Sequence, residues 1–120
     1  MKYIFLFCGT TYDQQRFDSL SPDELRAQYA KVGDWFGRYS SRIKGGEQLQ
    51  GPDTATTITR DGQGAVMVKD GPFIEGKEII GGYAEVEVDD LDQAIQMAKE
   101  WPAGPVEIRP IVARMQAPVG

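Results

Sequence analysis

The stretch DGPFIEGKE at residues 70–78, followed directly by IIGGY at residues 79–83, is the most informative part of this chain. Asp-Gly-Pro is typical of a tight turn, because the carboxylate caps backbone N–H groups, Gly tolerates positive φ and Pro fixes φ. We therefore predict a turn near residue 71. A strand follows it, and the absence of side chains at Gly81 and Gly82 leaves room for another backbone or a ligand to approach.

Charged side chains crowd the exit of this turn, at Asp70, Glu75, Lys77 and Glu78. A hairpin does not need so many charges, and clustered titratable groups beside a glycine-rich strand are typical of a functional cleft. For the last three residues, a solvated surface cluster is an equally good interpretation. For Asp70, capping of its own turn is favoured over a role in binding or catalysis.

The N-terminal part of the chain predicts a strand followed by a helix. Residues 3–8 form a short apolar run that suits a central strand, and a polar loop follows them. Ser21 and Glu24 then form a capping box around Pro22, which predicts a helix that ends near residue 41. Apolar residues recur along this helix at spacings of three and four, namely Leu25, Tyr29, Val32, Phe36 and Tyr39.

The middle of the chain predicts a hairpin, and two further strands follow it. Residues 55–60 and 65–69 alternate in polarity around Asp61-Gly62, which is typical of a hairpin turn. Residues 80–88 and 106–113 have the composition of strands. Together with the helices, these segments predict an α+β chain of order β-α-β-β-α-β with one additional hairpin strand.

A second helix is predicted between the last two strands. Asp89 or Asp90 provides its N-cap, and Pro102 ends it. The apolar stripe of this helix consists of Leu91, Ala94, Ile95, Ala98 and Trp101.

Strand alternation predicts which side chains lie under the helices. We expect the aliphatic sets to face the helices, and these are Ile4, Leu6, Val86, Val88, Val106 and Ile108. The same alternation places Cys8 under a helix as an inert thiol and puts Tyr3, Phe5 and Phe7 on the opposite face. Since an apolar face is seldom left in water, these three aromatic residues are predicted to form a dimer interface, in preference to a cofactor site.

Composition limits the classes of function. The 120 residues suit one domain, at residues 1–114, with a tail at 115–120. The net charge of −5 and the scattered basic residues argue against direct binding of nucleic acid or of an anionic membrane. A single cysteine and the lack of a long apolar segment predict a cytoplasmic protein.

The chain contains no histidine, which excludes Ser-His-Asp and Cys-His machinery and histidine-based metal sites. Phosphate-binding and dinucleotide-binding glycine motifs are also missing. We therefore predict no cofactor and no metal site. Any chemistry would depend on carboxylates, Lys, Arg, Tyr or Cys8, and no motif fixes a reaction.

The DGPFIEGKE stretch closely resembles the signature of the DGPF branch of the YCII-related proteins. GGEQL at residues 45–49, the helix-like residues 89–101 and VEIRP at residues 106–110 are similar to the family pattern in the same order. The resemblance implies a ferredoxin-like α+β fold that pairs into a dimeric α+β barrel. A His-Asp pair proposed as catalytic in better-studied relatives of the wider superfamily has no histidine counterpart here.

Two functional hypotheses follow. The first is a homodimer that binds a small molecule in a cleft formed by Asp70, Glu75, Lys77 and Glu78. Arg109 adds a fork that suits a carboxylate, although pairing with Glu107 is the favoured interpretation of that residue. The second is a non-catalytic regulatory or interaction protein, because similar domains occur beside or fused to sigma factors of the extracytoplasmic-function type. The resemblance thus implies an association with the transcription machinery.

Overall fold

The computed structural model describes residues 1–74 and 76–113, and Glu75 and residues 114–120 lie outside the description. The described part forms an α+β domain with two antiparallel sheets. Its elements in chain order are β1 (Lys2–Thr10), α1 (Thr11–Asp18), α2 (Pro22–Arg38), β2 (Ile43–Gln48), a 3-10 turn (Pro52–Thr54), β3 (Thr56–Arg60), β4 (Val66–Asp70), β5 (Glu78–Glu87), α3 (Leu91–Lys99) and β6 (Val106–Pro110). None of its helices has both the length and the apolar character needed to cross a bilayer.

The main sheet has the strand order β2-β5-β1-β6, so β1 is central, as the sequence predicted. Helices α2 and α3 pack on one side of this sheet through Trp35, Ala94 and Met97. Setting aside α1 and the hairpin β3–β4, the chain order is β-α-β-β-α-β. The arrangement is consistent with a ferredoxin-like fold.

The prediction of one additional hairpin strand was incomplete. Strands β3 and β4 form a separate two-stranded sheet, whereas the second strand of the main sheet is Ile43–Gln48, which the sequence did not reveal. Two glycines allow this strand to approach β5 closely. A Cβ atom at Gly46 would lie 2.5 Å from the Tyr83 carbonyl oxygen, and one at Gly82 would lie 2.9 Å from the Glu47 carbonyl oxygen.

Both predicted helix starts are confirmed. The Ser21 hydroxyl accepts a hydrogen bond from the Glu24 N–H (3.2 Å), and the Glu24 carboxylate accepts one from the Ser21 N–H (3.1 Å). The hydrogen bond from the Ser21 N–H is the main cause that lowers the pKa of the Glu24 carboxyl, and the Ser21 hydroxyl adds to it. Asp90 caps α3 by accepting from the N–H of Gln93. Helix α2 ends at Arg38, slightly before the predicted boundary.

The predicted orientation of β1 is wrong. Tyr3 and Phe5 are buried in the core of the chain, and Phe7 packs against that core. Ile4 and Leu6 therefore face away from the helices. The core of a single chain thus contains or contacts all three aromatic side chains, Tyr3, Phe5 and Phe7. The prediction that they form a dimer interface is therefore wrong too.

The residues opposite β1 give the physical reason for its orientation. Phe5 pairs with Ala84, and Phe7 pairs with Gly82, so large rings lie beside very small side chains. The prediction for the partner strands was right, since Ala84 and its neighbours on that side of β5 are buried, and Val106 and Ile108 pack against the core. Aromatic residues of β1 fill the space that β5 leaves.

Cys8 is also displaced from its predicted position under a helix. The β1–β5 register shifts between Phe7 and Cys8, and Cys8 pairs with Ile80. Its Sγ donates to the Leu6 carbonyl (3.3 Å), and the side chain is half-buried. Cys8 therefore shares the outward face with Leu6.

The core is centred on Trp35, which neither predicted apolar stripe contains. Its ring contacts five other aromatic rings at centroid distances of 5.0 to 6.2 Å, from Phe5, Phe7, Phe36, Tyr39 and Trp101. Its Nε1–H donates to the Met97 carbonyl (2.9 Å). The stripe of α3 was partly wrong, since Leu91 is exposed while Met97 is buried.

A polar cluster joins the ends of α2 and α3. Tyr39 and Arg38 both donate to Oε2 of Glu100, and the Arg38 bond measures 2.8 Å. These hydrogen bonds lower the pKa of the Glu100 carboxyl, with the Tyr39 bond the larger cause. Because Trp101 follows Glu100 directly, the cluster also fixes the position of that ring.

We call the side of the main sheet away from the helices the open face. Two rows of side chains cross it, as the strand registers show: Tyr83, Leu6 and Glu107 in one row, and Glu85, Ile4 and Arg109 in the next. Ile4 thus lies between two charged groups, and Leu6 lies between an aromatic ring and a carboxylate.

Candidate functional site

A cleft of about 800 Å³ lies on the helix side of the domain, between α1, α2 and the adjoining ends of β1, β2 and β5. Its volume falls in the range of small-molecule sites. The apolar lining includes Phe7, Phe17, Leu20, Tyr29, Val32, Phe36, Ile79 and Trp101. The polar lining includes Asp13, Gln14, Arg16, Asp18, Gln28, Gln48 and Gln50.

Stacked aromatic rings form one wall of the cleft. Phe7 and Trp101 lie with centroids 4.0 Å apart and an interplanar angle of 17°. Phe36 meets both rings edge to face. Since Phe7 comes from β1 and Phe36 from α2, the wall is anchored on two rigid elements, as a binding surface requires.

The glycine pair that the sequence singled out does line the cleft. Gly82 accommodates the neighbouring β2 backbone, as its short distance to Glu47 shows. Gly81 has no partner in the β1–β5 register, so it is the extra residue of a β-bulge. The expectation that this pair makes room for a backbone is confirmed, and its position leaves space for a ligand as well.

Helix α1 covers the cleft. The sequence predicted a polar loop for these residues, and that prediction was wrong. Thr10 and Asp13 form a capping box at its start, and the Thr11 N–H donates to the Lys77 carbonyl (2.8 Å). Near its end, Phe17 meets Tyr29 of α2 edge to face at 5.9 Å. The missed signal was the Thr-x-x-Asp pattern, which is a capping box beginning at Thr10.

The charged groups of the cleft differ in whether they already have partners. Asp13 accepts hydrogen bonds from the N–H and the hydroxyl of Thr10, and Asp18 accepts one from the Gln14 amide. Within residues 1–74 and 76–113, the guanidinium of Arg16 has no hydrogen-bond or ion-pair partner. Arg16 therefore presents a positive charge to whatever enters the cleft.

Comparisons with known proteins place this architecture in a family. The model of the YCII-related domain matches residues 5–114. The chain belongs to the YCII-related family. It is also 34% identical over 65 residues to an uncharacterized protein of Rhizobium meliloti (strain 1021), and that match covers 50% of this chain and 52% of the relative. The YCII-related chain thus spans about half the length of this relative.

A solved structure is also similar to the YCII-related chain. It is the 5-chloro-2-hydroxyhydroquinone dehydrochlorinase (TftG) from Burkholderia phenoliruptrix AC1100, in complex with 2,5-dihydroxybenzoquinone. The comparison covers 93% of this chain and 94% of that protein, at 13% identity and a TM-score of 0.49.

The turn after β4 has the predicted character, but its acidic residue does not act as predicted. Gly71 has a φ of +104°, which is the positive value expected there. Asp70 ends β4 opposite Thr56. Within the described part of this YCII-related chain, no hydrogen bond to the Asp70 carboxylate caps the turn.

The predicted site residues do not gather in one place. Asp70, Lys77, Glu78 and Arg109 are all absent from the cleft lining, and Glu75 lies outside the described residues. Lys77 and Glu78 come near the cleft only through their backbone, beside Thr11 and Thr10.

Arg109 is remote from the other predicted site residues. It pairs with Ile4 of β1, whereas Glu78 pairs with Thr10, six positions further along the same strand. At the usual rise per strand residue this separation is roughly 20 Å. Among the described residues, Glu107 and Arg109 also make no ion pair with each other.

Proposed function

We propose that this protein, as a DGPF-branch member of the YCII-related family, binds a small molecule in the cleft beneath α1. The observation that carries the proposal is a cavity of about 800 Å³ that combines a stacked aromatic wall with the guanidinium of Arg16, which pairs with none of the described residues. Binding sites typically have such an apolar lining with a few polar groups that fix orientation. The Asp70-Gly71-Pro72-Phe73 sequence supports membership of the branch.

The lining favours a flat, apolar ligand that carries one anionic group. The Phe7–Trp101 wall offers an aromatic surface for a ring, because rings prefer offset stacked or edge-to-face contacts. Arg16 offers a planar fork that matches a carboxylate. Asp13 and Asp18 already accept hydrogen bonds, so they compete less for that fork than Glu47, the third carboxylate of the lining.

In this proposal, the protein acts in the cytoplasm as a homodimer of the α+β barrel type. Ile4, Leu6 and Tyr83 support this assembly, since they leave apolar surface on the open face. The single Cys8 is in keeping with a reducing compartment. The transcription-associated role stays a prediction, because no contact described above bears on it.

Filling the cleft is the direct test of the proposed site. We expect Val32→Phe to weaken binding of 1-naphthoate at least ten-fold, because Val32 lines the cleft and the larger ring would occupy its space. The measurement is an NMR titration of labelled protein, which also shows whether the resonances that shift belong to cleft residues. Ala30→Phe is the matched control, since Ala30 is exposed on the same helix and does not line the cleft. Wild-type affinity in Val32→Phe would place the site elsewhere.

The charge of Arg16 should affect anionic ligands selectively. We expect Arg16→Gln to weaken binding of 1-naphthoate by roughly three- to ten-fold, the range of a partly solvated charged hydrogen bond. Binding of the neutral analogue 1-naphthalenemethanol should not change. Arg26→Gln, on the exposed side of α2 and outside the cleft lining, is the control. Equal losses for the two analogues would show that Arg16 contributes packing and not charge.

A further inference from the structure

The hairpin β3–β4, together with Phe73 and Ile74, projects as a separate unit that we call the arm. Within the described residues, its two strands pair with each other and with no strand of the main sheet. At its base, Thr57 Oγ1 donates to the Gly71 carbonyl (2.6 Å), which ties the arm to its own turn. An isolated two-stranded hairpin is only marginally stable in water, so the arm needs a surface to pack against.

One face of the arm is apolar and uncovered. Ile58 lies directly opposite Val68, Val66 lies opposite Arg60 and Thr56 lies opposite Asp70, so these six side chains share a face, and its three apolar members are Ile58, Val66 and Val68. The exposed fractions are 59% for Ile58, 58% for Val66 and 70% for Val68. The β-branched residues that usually pack inside a sheet are therefore displayed to solvent.

The exposed apolar residues of the arm suit a protein interface. Phe73 and Ile74, which follow the hairpin along the chain, are also exposed, at 76% and 74%. Apolar side chains gathered in this way on one small exposed element typically mark an interaction surface. A second protein surface is therefore the expected cover.

The open face of the main sheet complements the arm. Its apolar positions Leu6, Ile80 and Tyr83 also lack a cover, and Tyr83 and Ile80 are 36% and 49% exposed. Both surfaces carry charges of both signs, Arg60 and Asp70 on the arm and Glu85 and Arg109 on the open face, so opposite charges are available to pair across the contact. Since both surfaces remain exposed within one chain, a second copy is needed to bring them together.

We propose that the arm of each copy packs through Ile58, Val66 and Val68 on the open face of the other copy. The two contacts are then equivalent, as a two-fold symmetric interface requires. This inference rests on the homodimer of the proposed function, and it specifies which surfaces form that dimer.

A charged side chain on the face of the arm that carries Ile58, Val66 and Val68 tests the proposal. We expect Val68→Lys to weaken dimerisation by roughly 100-fold, because each dimer loses two central apolar contacts. Sedimentation velocity over a concentration series measures the change. Met67→Lys is the matched control, since Met67 is 57% exposed on the other face of the same strand and should leave the dimer intact.

The possible outcomes distinguish a failure of this inference from a failure of the homodimer proposal. A wild-type protein that stays monomeric at micromolar concentration would overturn both. A dimeric wild type with dimeric Val68→Lys and Ile58→Lys variants would overturn the role of the arm alone. Circular dichroism establishes that each variant is folded, and a Val68→Lys variant that misfolds is replaced by Ile58→Lys.

Photocrosslinking identifies the surface that receives the arm. We expect benzoylphenylalanine at position 68 to crosslink to residues 2–8 or 80–87 of another copy. Mixing isotope-labelled and unlabelled chains distinguishes crosslinks between copies from crosslinks within one chain. Crosslinks to the helices of a second copy, or only within one chain, would overturn the proposed contact.

Discussion

Phe5→Ala should lower the free energy of unfolding by about 3–5 kcal/mol, the usual cost of removing a fully buried aromatic ring. Phe5 has no exposed surface, and its ring centroid lies 6.2 Å from that of Trp35. Its neighbour Ala84 is too small to fill the space that the ring would vacate. Urea denaturation followed by circular dichroism gives the change.

Ile4→Ala is the matched variant, because Ile4 is the next residue of the strand but faces the other way. Both substitutions are best made in the Val68→Lys chain, where covering of the open face by a partner should not contribute. We expect Ile4→Ala to cost less than half as much as Phe5→Ala. A larger loss for Ile4→Ala would contradict the orientation of β1.

Trp35→Ala should be comparably severe, at about 3–5 kcal/mol. Trp35 is 2% exposed, and its ring contacts both Phe7 and Trp101, which form the aromatic wall of the cleft. The substitution should therefore lower the melting temperature and weaken 1-naphthoate binding together. Differential scanning calorimetry and the NMR titration provide the two measurements.

Two further substitutions separate the contributions of this residue. Trp35→Phe keeps much of the packing but removes the indole donor of the Met97 carbonyl, which still accepts from the Glu100 N–H, so the lost hydrogen bond should cost about 0.5–1.5 kcal/mol. Asp34→Ala, at the exposed neighbouring position, should change stability by no more than about 0.5 kcal/mol. If Asp34→Ala were as damaging as Trp35→Ala, disruption of the helix itself would explain the loss.

Signals that are local in sequence predicted the fold well. The Ser21–Glu24 capping box and the alternation within β5 each depend on residues a few positions apart, and that box has the expected hydrogen bonds. The signal that sets the orientation of β1 is not local in sequence, because residues 3–8 are apolar on both faces and show no alternation. It depends on the small residues of a strand far along the chain, Gly82 and Ala84.

Strand β2 was missed because its sequence IKGGEQ lacks the residues that favour strands. Its glycines serve a close approach to β5, which becomes evident only when the two backbones are seen together. Of the candidate site, the sequence located the Gly81–Gly82 position but not the aromatic wall. That wall combines residues from β1, α2 and the segment after α3, so no single stretch of sequence contains it.

The central position of β1 has a consequence for biosynthesis. Its first residues pair with the end of β5 on one side and with Pro110 of β6 on the other. As a ribosome releases the chain from its N-terminus, Phe5 and Phe7 have no strand partner until most of the protein has been made. Pairings between such distant segments form slowly, and unpaired apolar strands are prone to aggregate. The first strand of the newly made chain therefore stays open to wrong pairing until β5 and β6 emerge.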